Sequence, residues 1–176
     1  MHPQLERVLA AINSAVEGMS VAELAQHPPG KWSAAEILEH LSLTFSCTTR
    51  RLSKCLVDGA TSSRPDTFKQ FVGRFVVLTL GRMPNGRKAP EFTLPRGTAP
   101  AEVLNGIRQN LHSMDEAISR CERRFGPEQK IADHPILGPF NARQWRRFHW
   151  VHTRHHMRQI ERLRAGAGHR ATTSGP

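Results

Sequence analysis

The chain writes the same helix-start signal three times. "MSVAEL" sets Ser20 three residues ahead of Glu23, "KWSAAEI" sets Ser33 ahead of Glu36, and "PFNARQW" sets Asn141 ahead of Gln144. In such a capping box the N-cap side-chain oxygen accepts from the N3 backbone N–H, and the Glu or Gln reaches back to the N-cap N–H. Groups that a helix start leaves unpaired are thereby satisfied. Trp32 with Ile37, and Phe140 with Trp145, flank two of these caps as apolar staples. The second and third signals open long runs of helical period. They predict helices over 34–58 and 142–165, the latter stopped by Gly166.

Two further apolar stripes fit the same period. Leu5, Val8, Leu9, Ile12 and Val16 predict a helix over 3–17; Val103, Leu104, Ile107, Leu111, Met114 and Ile118 predict one over 100–124. Residues 66–82 read as helical, although "FVVLTL" alone also suits a strand. "MPNGRKAPEFTLPRGTA" (83–99) is dense in Pro and Gly and reads as a crossing loop, and "GPEQKIADHPILGPF" (126–140) as a second irregular connection. Strand alternation and internal repeats are absent. The expectation is an all-α protein: one domain over 1–165, four main helices in a bundle with at least one long crossover, and a disordered tail over 166–176.

Charge and cysteine usage bound the functional classes. There are 25 Lys and Arg against 15 Asp and Glu, a formal charge of +10. That balance suits an anionic partner, but no nucleic-acid recognition motif accompanies it, and solvated helix faces are the preferred reading. Cys47, Cys55 and Cys121 form no C-x-x-C and no even set, which points to a reducing cytosol. "MHPQLERVLAAINSAVEGM" mixes charges into an amphipathic pattern unlike a signal peptide, and "FVVLTL" is too short to span a bilayer. A cytoplasmic protein without membrane association is expected.

The last helix carries the chemistry. "HWVHTRHHMRQIERL" holds His149, His152, His155 and His156. At about 100° per residue, Trp145, Phe148, His152, His156, Gln159 and Leu163 share one face. It begins and ends apolar, so His152 and His156 point inward, with His149 and His155 on its flanks. An i, i+4 pair of imidazoles can converge on one ion; the same spacing also suits a hydrogen-bonded core pair. Gln159, one turn on, is placed to orient a ligand. On the helix from Ser33, His40 lies at the edge of the apolar arc, where a residue facing an inter-helix cleft would stand. Its stripe includes Glu36, Cys47 and Arg51. Glu36 is first a capping residue, and Cys47 reads as a small buried hydrophobe. Arg51 suits a surface ion pair, with an anionic cosubstrate as the alternative.

Two segments in this order resemble the DinB-like superfamily of bacterial metal-binding four-helix proteins. They are "KWSAAEILEHL", with His40 seven residues after Ser33, and "HPILGPFNARQWRRFHWVHTRHHMRQIERL", with His-x-x-x-His followed by Gln159. The likeness covers roughly 3–165. It implies a four-helix bundle with crossover connections and a divalent metal, nickel or zinc, held by His40, His152 and His156. It also implies a homodimer and, in characterised members, thiol S-transfer with bacillithiol, mycothiol or glutathione, or maleylpyruvate isomerisation. This chain departs from the pattern in three ways. Met157 and Arg158 stand where many members have Arg-Gly, His149 and His155 are extra, and Tyr is absent.

Three neutral imidazoles leave a metal its full charge and an open position, the arrangement of catalytic sites. The leading expectation is therefore a metal-dependent enzyme acting on a small molecule, a thiol transferase or a hydrolase, with Gln159 and Glu36 as the polar residues near the metal. A second reading is a basic helical protein. It uses Arg143, Arg146, Arg147, Arg154 and Arg158 around Trp150 and Met157 on an outward face of the last helix, to hold nucleic acid or, preferably, a second subunit. A third is a metal site kept for stability or sensing.

Overall fold

The computed structural model describes residues 1–62, 64–84 and 88–172. It is mostly helical, an all-α chain with one small hairpin. The helices are α1 (Pro3–Val16), α2 (Val21–Ala25), α3 (Ala34–Asp58), α4 (Phe68–Arg74), α5 (Pro100–Phe125) and α6 (Ala142–Thr172). A π-helical turn, Phe75–Thr79, continues α4, and a 3-10 turn, Glu91–Thr93, sits in the loop before α5. The strands β1 (Ala132–His134) and β2 (Gly138–Phe140) pair antiparallel just ahead of α6.

The caps form as their residues dictate. Ser20 and Ser33 each accept from the backbone N–H of the Glu three residues on, and that Glu reaches back. Asn141 Oδ1 accepts from Gln144 N–H at 2.9 Å while Gln144 Oε1 accepts from Asn141 N–H at 3.1 Å, and the Phe140 and Trp145 rings meet at 5.1 Å. The same device at Thr67 and Gln70 starts α4. Gly59 ends α3 in the left-handed conformation, φ 65°.

α3 lies along α5 and α1 along α6, and α6 also meets α3 and α5. Between them Leu5, Ile12, Leu38, Phe45, Leu111 and Trp145 are almost fully buried. Each such side chain contributes about 1.5–3 kcal/mol on transfer from water. Among the described residues no helix is long and apolar enough to cross a membrane.

The helical reading of 66–82 holds over Phe68–Thr79, where Phe75–Thr79 takes a π register and buries only Val77. Other expectations change. The connection over 126–140 contains the hairpin, whose strands of three residues are too short to show period-2 alternation. Gly166 does not stop the last helix, which runs to Thr172. It is absent from the glycines with positive φ, and a helical glycine costs only about 1 kcal/mol against Ala. Of the tail expected to be disordered, residues 173–176 lie outside the described residues.

The outward Arg and Trp face of α6 is present only in part: Arg143, Arg154 and Arg158 are exposed, but the rest of it is covered. α1 packs along this helix, Met157 and Arg146 are buried, and Arg146 pairs with Glu122 at 2.7 Å. Trp150 is partly buried beneath two guanidinium groups, Arg7 at 4.6 Å and Arg154 at 5.6 Å. Helical period assigned the right face but could not show which neighbouring helix would cover it.

Candidate metal centre

His40, seven residues into α3 from its cap, and His152 and His156, one turn apart on α6, come together at a buried point. His152 Nε2 lies 3.3 Å from His40 Nε2 and 3.1 Å from His156 Nε2, and all three donor nitrogens fall within 4.8 Å of one another. Two nitrogens about 2.0–2.1 Å from one ion at a tetrahedral angle stand about 3.3–3.4 Å apart. The spacing therefore fits three ligands of a single ion.

The outer nitrogens decide where the protons sit. His40 Nδ1 is 2.8 Å from the Thr93 carbonyl oxygen, which can only accept, so Nδ1 carries the hydrogen and Nε2 is a bare lone pair. His156 Nδ1 donates likewise to Gln159 Oε1 at 2.7 Å, leaving its Nε2 bare. Two buried lone pairs thus point at His152 Nε2. A hydrogen there could serve one of them, and the other would stay unsatisfied, at a cost of about 1–3 kcal/mol. A cation between the three satisfies all of them. His152 Nδ1 is buried with no hydrogen-bond partner among the described residues.

A proton is poorly suited to be that cation. Burial holds His40 below the ordinary imidazole range, against the Thr93 carbonyl, which pulls it up. Burial, then the nearby His156 and His40, push His152 well down. His156 is lowered to about 3 by burial and by His40, with Gln159 opposing. All three are neutral near pH 7, the state in which imidazole binds metals.

The loop that orients His40 is itself clamped by the residue before it. Buried Glu39 accepts from Thr98 Oγ1 at 2.6 Å and from the backbone N–H groups of Gly97 and Thr98 at 3.1 and 3.2 Å. Burial raises this carboxyl, but those donors outweigh it and hold the group below its usual range. Thr93, four residues before Gly97, is buried, and its hydroxyl donates to the Pro90 carbonyl.

The remaining candidates separate cleanly. His149 is fully buried away from the triad; its Nε2 meets Thr48 Oγ1 at 3.1 Å and its ring stacks on Trp145. Helical geometry placed it on a flank, and close packing against Trp145 and Phe45 draws it into the core. His155, half-buried, accepts from Gln159 Nε2 at 3.2 Å and stays out of the three-nitrogen cluster. Glu36 does not serve the site: its carboxylate caps α3 at Ser33 N–H, 2.8 Å, and lies 3.4 Å from His27. Arg51 makes no ion pair among the described residues. Its guanidinium lies 5.9 Å from the Phe92 ring centre.

A cleft of ≈ 1310 Å³ opens onto the triad, between α3, α6, the α4 segment, residues 83–84 and 88–94, and the hairpin. Its walls are mainly apolar, with Phe68, Val72, Phe92 and Phe148 among them, and Cys47 and Met83 beside them. Cationic Arg51, Lys69 and Lys88 line it, and no Asp or Glu does among the described residues. Sequence reasoning missed His134, which β1 places in this wall, and the Thr93 carbonyl. A lone His-Pro before a turn carries no functional signal, and a backbone oxygen carries none at all.

Residues 3–163 match the family described as "Protein of unknown function (DUF1569)". The chain belongs to this family. Neither the curated proteins nor the solved structures give a match. The DUF1569 match spans α1 to α6, so all three histidines of the cluster lie within it.

Proposed function

We propose that this protein is a metal-dependent enzyme of small-molecule chemistry, a thiol S-transferase, in which His40, His152 and His156 hold a divalent ion of the nickel or zinc kind. The observation that carries the reading is the pair of bare Nε2 lone pairs, on His40 and His156, converging on His152 Nε2 within 3.3 Å. The helix order and the histidine spacing support placing the chain as a DinB-like four-helix bundle with crossover connections.

An ion held by three neutral imidazoles would keep an open position and lower the pKa of a thiol or water placed there. The cleft favours the thiol. Among the described residues no carboxylate lines it to take a proton from water, whereas a thiol starts near pKa 8.5 and needs less help. The apolar walls suit a hydrophobic electrophile and exclude water from it. His40 and His156 stay fixed by Thr93 and Gln159 while sulfur attacks carbon. The S–C bond forms as the leaving group departs with its electron pair, and the thiol proton goes to solvent.

The test is turnover of full-length protein reloaded with Zn²⁺ or Ni²⁺. Glutathione or another low-molecular-weight thiol is offered with 1-chloro-2,4-dinitrobenzene, beside an aryl ester without thiol. Thioether formation that needs the metal and is lost in His152→Ala is expected. Ester hydrolysis alone would move the reading to a hydrolase, and a loaded protein inert to both would leave a metal site of structural use.

A further inference from the structure

We infer that the cleft carries a second recognition site, an oxyanion subsite formed by the His134 Nε2–H and the Arg51 guanidinium, which selects organic carboxylates with an apolar body. The inference rests on reading this cleft as the ligand site, but not on the metal.

His134 ends β1, and its ring is held by the hairpin turn. Its Nδ1 accepts from Ile136 N–H at 3.2 Å and Leu137 N–H at 3.1 Å. A nitrogen that accepts two hydrogen bonds is the unprotonated one, so the hydrogen sits on Nε2. That atom has no partner among the described residues, and the ring lines the cleft. Gly138 makes the turn possible: its φ is 77°, and a Cβ there would meet Asp66 and Gln70 at 3.1 Å. The ring packs on Phe148 at 4.4 Å, and Phe148 stacks on His152 at 5.3 Å, so the donor stands one aromatic ring from the triad. Burial, helped by the Arg51 charge, lowers His134 to about 3, and it remains a neutral donor at any working pH.

Arg51 supplies the charge. It projects from α3, on which β1 packs, and is exposed and free of ion pairs among the described residues. Its guanidinium beside Phe92, on the same cleft wall, leaves the donor fork free for an anion. One fork and one neutral N–H match a planar monoanion better than a phosphate dianion. Phe92 and Phe68, both exposed, offer the apolar body a surface.

Calorimetric titration of the full chain with benzoate, benzamide and phenyl phosphate tests this, in metal-free and Zn²⁺-loaded forms. Arg51→Gln changes an exposed side chain. His134→Asn keeps an acceptor for the turn N–H groups but withdraws the donor from the cleft. Benzoate is expected to bind both forms, more tightly than benzamide or phenyl phosphate, with each variant weakening it about tenfold or more. Benzoate that binds only with metal present and ignores both variants would place the carboxylate on the ion, overturning the subsite while leaving the metal reading intact. Equal binding of benzamide, tighter binding of phenyl phosphate, or no binding of benzoate to either form would also overturn it.

Discussion

His40 and His152 are 112 residues apart in the chain, yet their Nε2 atoms stand 3.3 Å apart with no hydrogen on the His40 side. Two helices and one loop produce that approach. α3 and α6 bring the rings together, and the Thr93 carbonyl fixes which nitrogen of His40 faces inward.

Glu39 holds the loop that carries this carbonyl. Glu39→Ala removes the acceptor for Thr98 Oγ1 and for two backbone N–H groups. Partners that orient a ligand typically matter about 10–100-fold in metal affinity. Competition with a chromogenic chelator should show Zn²⁺ affinity falling by about that factor in Glu39→Ala and less in Glu39→Gln, whose amide oxygen still accepts. Unchanged affinity in Glu39→Ala would show that the loop does not position His40.

Gln159 bridges two histidines, accepting from His156 Nδ1 and donating to His155 Nε2. Gln159→Leu should weaken metal binding about tenfold or more, whereas His155→Ala should leave it nearly unchanged. The reverse order of effects would make His155 a ligand.

Acid should destabilise the metal-free chain through its buried histidines. His134, His149 and His156 are each lowered to about 3, chiefly by burial, so below about pH 6.5 the unfolded chain takes up protons that the folded chain refuses. The stability these groups contribute is fully present above pH 6.5 and is lost as pH falls toward 3. Urea midpoints of metal-free protein between pH 8 and pH 4 should trace that loss. The double variant His149→Phe with Thr48→Val, which removes both hydrogen-bonding partners, should flatten it in part; an equally steep fall would put the loss elsewhere.

Arg146 tests what the last helix does with its charge. It is buried and paired with Glu122, while Arg143 on the same helix is exposed. Glu122→Ala should cost about 1.5–3 kcal/mol in denaturant unfolding, against about 0.5 kcal/mol or less for Arg143→Ala. Similar small values for both would mean that Arg146 finds water, reopening this face to a partner.

The long helices were legible because capping boxes at Ser33 and Asn141 and clean apolar stripes agree with the final packing. His152 and His156 were legible for the same reason, since helical period alone aims them inward. His149 was misplaced because a flank position becomes core once Trp145 and Phe45 close over it. The hairpin was hidden by the shortness of its strands. With it went His134, whose tautomer is set by backbone groups of Ile136 and Leu137 and not by any residue type. Arg146 and Met157 read as outward because nothing in α6 itself records that α1 lies along it.

The most direct measurement is the metal content of untagged full-length protein by elemental analysis, beside His152→Ala and His149→Phe. The account predicts about one nickel or zinc ion per chain in the parent and in His149→Phe, and none in His152→Ala. A parent that holds no metal, even after reloading with Ni²⁺ or Zn²⁺, would contradict it, and the three histidines would then be a buried polar cluster of the core.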